Sequence, residues 1–140
     1  MRPYSLFSGA MQLYLVRHAE AAGGEPDELR PLTPAGREQA RSLGERLRDS
    51  GVRPEAILTS PLLRARETAA LLGRELGLDA VPDERLAPGA TADAVASAVA
   101  GRGETVIAVG HQPDCSRIAG ALTGGPEPDF PPAGSVAIEL

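Results

Sequence analysis

Two histidines and two arginines stand where they could act together on a phosphoryl group. Arg17-His18 follows the apolar run QLYLV, His111 follows the apolar run TVIAV, and Arg64 lies just beyond a third run, AILT. Imidazole is a nucleophile near neutral pH, with an ordinary pKa of ~6.5. Guanidinium is permanently charged and can donate two hydrogen bonds to one phosphate. Because phosphoryl transfer needs both a nucleophile and fixed positive charge, these residues predict phosphoryl chemistry.

Each of these residues also has a structural explanation. An Arg-His pair can lie in a surface loop, and a histidine after a buried strand can cap a helix or fill the core. Arg64 and Arg66 can solvate the start of a helix, although positive charge there opposes the helix dipole. That unfavourable placement favours a functional Arg64. The joint occurrence of these residues at the ends of predicted strands favours the chemical interpretation.

Strands and helices alternate along the chain and would position these residues. Helix signals are Thr33-Pro34 as a start, Gly51 and Gly77 as ends, and Thr91 as a cap. We predict strands over 12–16, 56–59, 78–81, 105–109 and 135–140, and loops over 21–30 and 124–132. We predict helices over 34–50, 63–76 and 113–122, and a further helix that Thr91 caps and that carries Val95 and Val99. The alternation predicts a single three-layer α/β domain, with a mostly parallel sheet and helices on both faces. Ligands bind at the carboxyl ends of such strands, where both histidines lie.

Composition excludes several classes of function. The chain has 140 residues, 42% of them hydrophobic, and a formal charge of −5, so we expect one domain and no nucleic-acid partner. All basic residues are arginines, which excludes a lysine Schiff base and a Walker lysine. With Cys115 as the only cysteine and His18 and His111 as the only histidines, we expect no disulfide, no metal and no cofactor.

The chain has no apolar run near the ~20 residues of a membrane helix, so we expect no membrane partner. The first ten residues carry too short an apolar stretch for a signal peptide. We expect residues 1–10 to be a disordered leader or a misassigned start, because Met11 immediately precedes the first convincing strand. The functional domain would then span residues 11–140, and we expect it in the cytoplasm as a monomer.

Four segments resemble the histidine phosphatase superfamily, and they occur in the family's order. They are LVRHAE at 15–20, PLTPAG at 31–36, LTSPLLRARET at 58–68 and VGHQPD at 109–114. The short chain, RPLT and GHQPD are similar to one branch, the SixA-type phosphohistidine phosphatases. The resemblance implies that His18 accepts the phosphoryl group and that Arg17, Arg64 and His111 hold the phosphate. Arg30, just before PLT, would reach the substrate or remain an exposed loop arginine.

The sequence departs from the family pattern at two positions. Ala19 replaces the usual glycine after Arg-His, which is a small change. Pro88 stands about where larger members tend to place a glutamate general acid, which the SixA-type branch also lacks. An alkoxide needs a proton in order to leave, whereas the imidazole of a phosphohistidine leaves across a weaker P–N bond. Asp83 and Glu84 are the candidate substitutes for the acid, with an exposed turn as the simpler explanation of both.

The first hypothesis for function is therefore a protein phosphohistidine phosphatase that works through a phosphohistidine on His18. A small-molecule phosphomonoesterase acting on a sugar or nucleotide phosphate is the alternative. A phosphate-binding module without turnover is a third hypothesis, kept open by the missing acid. The compact chain favours the first, because few residues are available to cover the site and an open site admits a protein side chain.

Overall fold

A computed structural model describes residues 11–140 as one α/β domain built on a five-stranded sheet, which confirms the predicted fold class. The expectation for residues 1–10 lies outside the described residues. The strands are β1 Gln12–Arg17, β2 Ala56–Thr59, β3 Ala80–Pro82, β4 Thr105–Gly110 and β5 Ser135–Glu139, and the helices are α1 Pro34–Asp49, α2 Leu63–Leu76, α3 Ala92–Val99 and α4 Asp114–Thr123. Their order across the sheet is β3-β2-β4-β1-β5, and only β5 is antiparallel to its neighbour.

The register of the three central strands aligns the residues that follow them. Arg17 pairs with Gly110 across β1 and β4, and Thr59 pairs with Val109 across β2 and β4. His18, Ser60 and His111 are the next residues along their respective chains. The parallel register therefore delivers three distant segments to one edge of the sheet.

Helices cover both faces, because the side chains of a strand alternate between them. Val106 and Ala108 of β4 pack with α3 and α4 in one buried cluster, which includes Val95 and Ile118. Ile107 and Val109 face the other way, into a cluster with Leu43, Ala69 and Leu72 of α1 and α2. Within residues 11–140 no helix is long and apolar enough to cross a membrane.

Most helix boundaries follow the predicted signals. Thr33 caps α1 by accepting a hydrogen bond from the amide of Gly36, and Thr91 caps α3 through the amide of Ala94. Gly77 ends α2 with φ of 81°, the left-handed conformation that glycine adopts most readily.

The third strand is shorter and later than predicted, covering Ala80–Pro82 rather than 78–81. The reason is that the amides of Gly77 and Leu78 both bond to the carbonyl of Gly73, so Leu78 belongs to the end of α2. Two short 3₁₀ turns, Asp27–Leu29 and Glu84–Leu86, also occur where the sequence predicts loop and turn.

Candidate active site

The carboxyl edge of the sheet brings the predicted histidines and arginines together. The ring centroids of His18 and His111 are 5.3 Å apart, with the planes inclined by 60°. Arg17, Arg30 and Arg64 are each close enough for their charges to lower the pKa of His18. The edge therefore combines two imidazoles with three guanidinium groups.

His18 presents one ring nitrogen for chemistry. Its Nδ1 lies 2.7 Å from the carbonyl oxygen of Ala19. A carbonyl oxygen only accepts hydrogen bonds, so Nδ1 carries the ring proton and Nε2 keeps its lone pair. Partial burial, followed by the charges of Arg64, Arg17 and Arg30, lowers the pKa of His18, and the Ala19 bond opposes this only in part. His18 is therefore neutral at pH 7, with Nε2 available as a nucleophile.

The backbone around His18 is held from three sides. Its amide donates to the carbonyl of Gly110 at 3.0 Å, and its carbonyl accepts from the amide of Ala133 at 3.2 Å. The amide of Ala19 donates to Oγ1 of the buried Thr68 at 3.0 Å, and that hydroxyl donates to the carbonyl of Arg64 at 2.8 Å. Thr68 thus connects the nucleophile to the helix of Arg64. Sequence reasoning assigned Thr68 no role, although it closes the quoted segment LTSPLLRARET.

A turn just before β5 contributes backbone groups to the same support. Arg17 donates from Nη1 to the carbonyl of Phe130 at 3.0 Å, and its amide donates to the carbonyl of Gly134. Ala133 adopts φ of 58°, a left-handed conformation that is uncommon for a residue with a Cβ. The turn places the amide of Ala133 against the carbonyl of His18, so this strained residue helps to hold the backbone of His18.

His111 is buried and electrically neutral. Burial first, and then the charges of His18 and Arg64, lower its pKa to about 4, with Asp27 opposing. Its Nε2 lies 2.7 Å from Oγ of Ser60, which also accepts from the amide of Leu62. One of the two acceptor sites of Ser60 is used by Leu62, and when its hydroxyl proton is donated to Nε2 the proton of His111 lies on Nδ1.

Nδ1 of His111 is buried and has no hydrogen-bond partner among the described residues. A buried donor without a partner is costly, and a phosphoryl oxygen would satisfy it. Nε of Arg17 is the second side-chain atom of this kind within residues 11–140. Two unsatisfied polar groups at one edge make an anion the fitting occupant. Ser60, which orients His111, is a residue that the candidate set from the sequence did not include.

Arg64 and Arg30 share one partner, Asp27, which the sequence analysis did not single out. Arg64 donates to the backbone oxygen of Asp27 at 2.9 Å and to its Oδ2 at 3.2 Å. Arg30 donates to Oδ1 of Asp27 at 2.9 Å and to the carbonyl of Ala22 at 2.7 Å. Arg30 therefore ties its own loop together and places charge near His18, and its contact with a substrate stays a prediction.

The three residues considered as proton donors, Asp83, Glu84 and the position of Pro88, all lie in the segment after β3. Pro88 is exposed and lines a shallow surface depression with Glu84 and Arg85. Asp83 accepts hydrogen bonds from the Arg85 amide and guanidinium, and these bonds lower its carboxyl pKa, so it is ionised at neutral pH. An ionised carboxylate has no proton to give. Glu84 is exposed and lines the same depression.

Comparison with known proteins now decides the family. A sequence model of the histidine phosphatase superfamily (branch 1) matches residues 13–88. The chain belongs to the histidine phosphatase superfamily. A solved structure of the protein histidine phosphatase SixA, complexed with tungstate, superposes with a TM-score of 0.83 at 29% identity, covering 91% of this chain and 86% of that one. The family and this neighbour support phosphatase activity for the chain.

Two sequence relatives match this chain over different shares of its length. An uncharacterised protein of Picosynechococcus is 38% identical over 82% of this chain and 74% of its own length. The mitochondrial serine/threonine-protein phosphatase Pgam5 of Drosophila willistoni is 38% identical over 50% of this chain. That match spans only 24% of the Drosophila protein, so it compares a domain segment and not two whole enzymes.

Proposed function

We propose that this histidine phosphatase hydrolyses phosphohistidine on a protein and forms a phosphohistidine on its own His18. The observation that carries the proposal is the state of His18. Its Nδ1 proton is held by the Ala19 carbonyl and its pKa is lowered, so Nε2 is an unprotonated nucleophile beside three arginines. A binding module would have no need of a free nucleophile.

The reaction has two displacements at phosphorus. Nε2 of His18 attacks, the P–N bond to the substrate breaks, and its electron pair goes to the leaving imidazole. Water then attacks the phosphorylated His18, phosphate leaves, and the electron pair returns to Nε2. Arg17, Arg64 and the Nδ1–H of His111 would hold the three phosphoryl oxygens in both steps. Tungstate is a tetrahedral oxyanion like phosphate, and its presence in the related SixA structure supports an oxyanion at this edge.

The choice of phosphohistidine rests on the lack of a proton donor. Of the three candidates, Asp83 is ionised, Pro88 has no proton to give and Glu84 is exposed to solvent. An imidazole protonated on its distal nitrogen leaves as a neutral ring, whereas an alkoxide has to be protonated as it departs. The site therefore suits phosphohistidine better than an alkyl phosphate.

Phosphate ester hydrolysis is the second candidate, either of small esters or of a phosphorylated protein hydroxyl. The similarity to Pgam5, named a serine/threonine-protein phosphatase, supports it over half of the chain. The two candidates share the intermediate on His18 and differ in the leaving group.

A turnover comparison tests the proposal. The kcat/KM values for a phosphohistidine protein, phenyl phosphate and a sugar phosphate would be measured, with the loss of a general acid expected to penalise the sugar phosphate by ~10²–10⁴-fold. Quenching without acid and mass spectrometry would detect phosphate on His18 during turnover. A sugar phosphate as the best substrate would overturn the choice of phosphohistidine. No phosphate on His18 at any time would overturn the mechanism.

A further inference from the structure

The carboxylate of Asp27 stands at the mouth of the site and contacts two of its cations. Oδ1 accepts from Arg30 at 2.9 Å and Oδ2 accepts from Arg64 at 3.2 Å. The side chain of Arg64 is only 9% exposed, whereas that of Asp27 is 63% exposed. Asp27 therefore links a buried phosphate-binding arginine to the solvent side of the pocket, from which a substrate arrives.

Asp27 is ionised and still has room for another donor. The hydrogen bond from Arg30, and then that from Arg64, lower its carboxyl pKa. A carboxylate offers about four lone-pair positions, of which the two arginines occupy two. The remaining positions on this exposed group can accept an N–H from a bound molecule.

The net charge of the groups around the pocket matches that of a phosphoryl dianion with no other charged group on the substrate. Arg17, Arg30 and Arg64 act on His18, and Asp27 offsets one of their charges, so these four groups leave two positive charges for two negative ones. The other nearby carboxylates are engaged elsewhere. Glu20 accepts from Oγ1 of Thr33, and Glu67 accepts from the amide of Leu32. A further negative charge on the leaving group would face Asp27 with no excess positive charge left among these four groups.

We infer that Asp27 is a specificity-determining residue that accepts an N–H from the leaving imidazole and repels leaving groups that carry negative charge. The inference rests on the proposed phosphoryl transfer to His18. It deepens that proposal by assigning a role toward the leaving group to an exposed carboxylate that contacts two of the site's arginines.

The chemistry at the leaving group balances without a general acid. In a phosphorylated imidazole, the ring nitrogen distant from phosphorus takes up a proton from water before binding. Its N–H donates to Asp27, which favours this protonated ring. As the bond from His18 to phosphorus forms, the P–N bond breaks and its electron pair goes to the bridging nitrogen. The ring leaves neutral, with its proton on the distal nitrogen, and Asp27 remains ionised throughout.

The test compares substrates that differ in the charge of the leaving group. Phenyl phosphate and 4-carboxyphenyl phosphate form a matched pair, and N-phosphorylimidazole supplies the imidazole. Asp27→Asn keeps the shape and one acceptor oxygen but removes the charge. Glu28→Gln is the control, since it removes the same charge from the exposed neighbouring residue in the same 3₁₀ turn.

We expect the wild type to prefer phenyl over 4-carboxyphenyl phosphate by about tenfold in kcat/KM, as for two charges several ångströms apart near a surface. Asp27→Asn should reduce this preference to within about twofold, and high salt should weaken it in the wild type. The variant should also lose about tenfold on N-phosphorylimidazole relative to phenyl phosphate. Glu28→Gln should leave both ratios unchanged.

An equal loss on all three substrates in Asp27→Asn would overturn the inference, because it would show that Asp27 only positions Arg64 and Arg30. The ratio of kcat/KM for phenyl and 4-carboxyphenyl phosphate does not depend on phosphohistidine being the natural substrate. A failure of this inference can therefore be told apart from a failure of the proposed function. Calorimetric binding of methylphosphonate and phosphonoacetate gives the same comparison without turnover. An unchanged ratio of their dissociation constants in Asp27→Asn would likewise overturn the inference.

Discussion

Two segments that follow parallel strands at the same edge of the sheet use their charged residues in opposite ways. Residues 18–33, after β1, place a charge against another element, since Asp27 binds Arg64 of α2 as well as Arg30 of its own segment. Residues 83–91, after β3, keep charge within the segment, because Asp83 binds Arg85 through both oxygens. The comparison teaches that a place at the carboxyl edge is not sufficient for function, and that charged groups must also reach other elements.

Topology explains the difference. β1 lies between β4 and β5, next to the strand that delivers His111, whereas β3 is the edge strand. A segment leaving β1 therefore meets α2 and the residues after β4. The segment leaving β3 bonds to β2 through the amide of Asp83 and the carbonyl of Thr59, and to α4 through the amide of Gly89 and the carboxylate of Asp114. Paired substitutions, one in each segment, test whether only the segment after β1 takes part in the reaction.

The largest difference in kcat between paired variants of the two segments should come from removing the proposed nucleophile, His18. His18→Ala should lower kcat on every substrate by roughly 10⁴-fold or more, as in other enzymes that lose a nucleophile. Glu84→Gln, in the segment after β3, should change kcat by less than about twofold, because no step of the mechanism uses it. Initial rates with phenyl phosphate would measure both. A comparable loss in Glu84→Gln would show that the second segment does take part.

The next contrast compares two arginines, each bound to an aspartate. Arg64→Gln should reduce kcat/KM by about 10²–10³-fold, the usual effect of losing one preorganised donor to a developing charge. Arg85→Gln should have almost no effect, since its partner Asp83 lies in the same exposed turn. Steady-state kinetics and the inhibition constant for tungstate would measure both variants. Equal inhibition constants for Arg64→Gln and the wild type would contradict a phosphate contact at Arg64.

The sequence was sufficient to predict the periodic and terminal features of this fold. Alternating strands and helices indicated a mostly parallel α/β sheet, and Thr33 and Gly77 marked the ends of helices because capping depends on local residues. The boundary of β3 was wrong because Leu78 takes part in a helix-terminating hydrogen bond that the apolar run conceals. The antiparallel pairing of β5 depends on long-range contacts that no local pattern encodes.

Candidate site residues were predictable where the resemblance to a family carried them, and their partners were not. Ser60 and Thr68 make single hydrogen bonds to segments 51 and 49 residues away, and such contacts leave no periodic signal. The turn that holds Arg17 and His18 uses backbone atoms of Phe130 and Ala133, which any residue type would supply. Sequence reasoning therefore selected candidate residues that lie at one edge of the sheet, and it missed the groups that support them.

The acid sensitivity of stability should come from the histidine pocket and not from the segment after β3. The pKa of His111 falls from 6.5 to about 4 in the folded chain, so the unfolded chain binds more protons between these values. Stability should drop as the pH falls from 6.5 to 4, by up to about 3 kcal/mol from this residue. Urea unfolding of the wild type and of His111→Gln at pH 7, 5.5 and 4.5 measures the difference.

Protonation of His18 also lowers stability in acid, because its pKa is lowered in the folded chain. The free energy of unfolding of His111→Gln should therefore still fall with pH, but less steeply than that of the wild type. Asp83 has a lowered carboxyl pKa, and its contribution would be lost only below its usual value of 3.8. Asp83→Asn should therefore keep the wild-type slope across pH 4.5–7. A slope that survives unchanged in His111→Gln would contradict the neutral, buried state of that histidine.

A smaller effect should follow from the hydroxyl that orients His111. Ser60→Ala removes the partner of Nε2 and frees the ring to adopt the other tautomer, so kcat/KM should fall about tenfold. Ser60→Thr keeps a hydroxyl and should recover part of the loss. Thr91→Ala, which removes the cap of α3, should lower stability and leave kcat/KM unchanged. No loss in Ser60→Ala would mean that packing alone orients His111.

The smallest effect should come from placing an acid at Pro88, where larger relatives tend to carry one. Pro88 is exposed, and the adjacent Gly89 amide is bound to the buried carboxylate of Asp114 at 2.7 Å, which fixes the segment. A glutamate there would be solvated and mostly ionised at pH 7, because no desolvation would raise its pKa.

Pro88→Glu should therefore raise kcat/KM for a sugar phosphate by no more than a few-fold, far below the ~10²–10⁴ of a well-placed general acid. Pro88→Gln is the matched control, since it removes the proline equally but cannot carry a proton. The ratio of the two variants on a sugar phosphate, measured from pH 5 to 8, isolates the contribution of the acid. A hundredfold advantage of glutamate that disappears at high pH would show that Pro88 faces the leaving group. The part of the segment around Pro88 would then belong to the active site, and only the part around Asp83 would lie outside it.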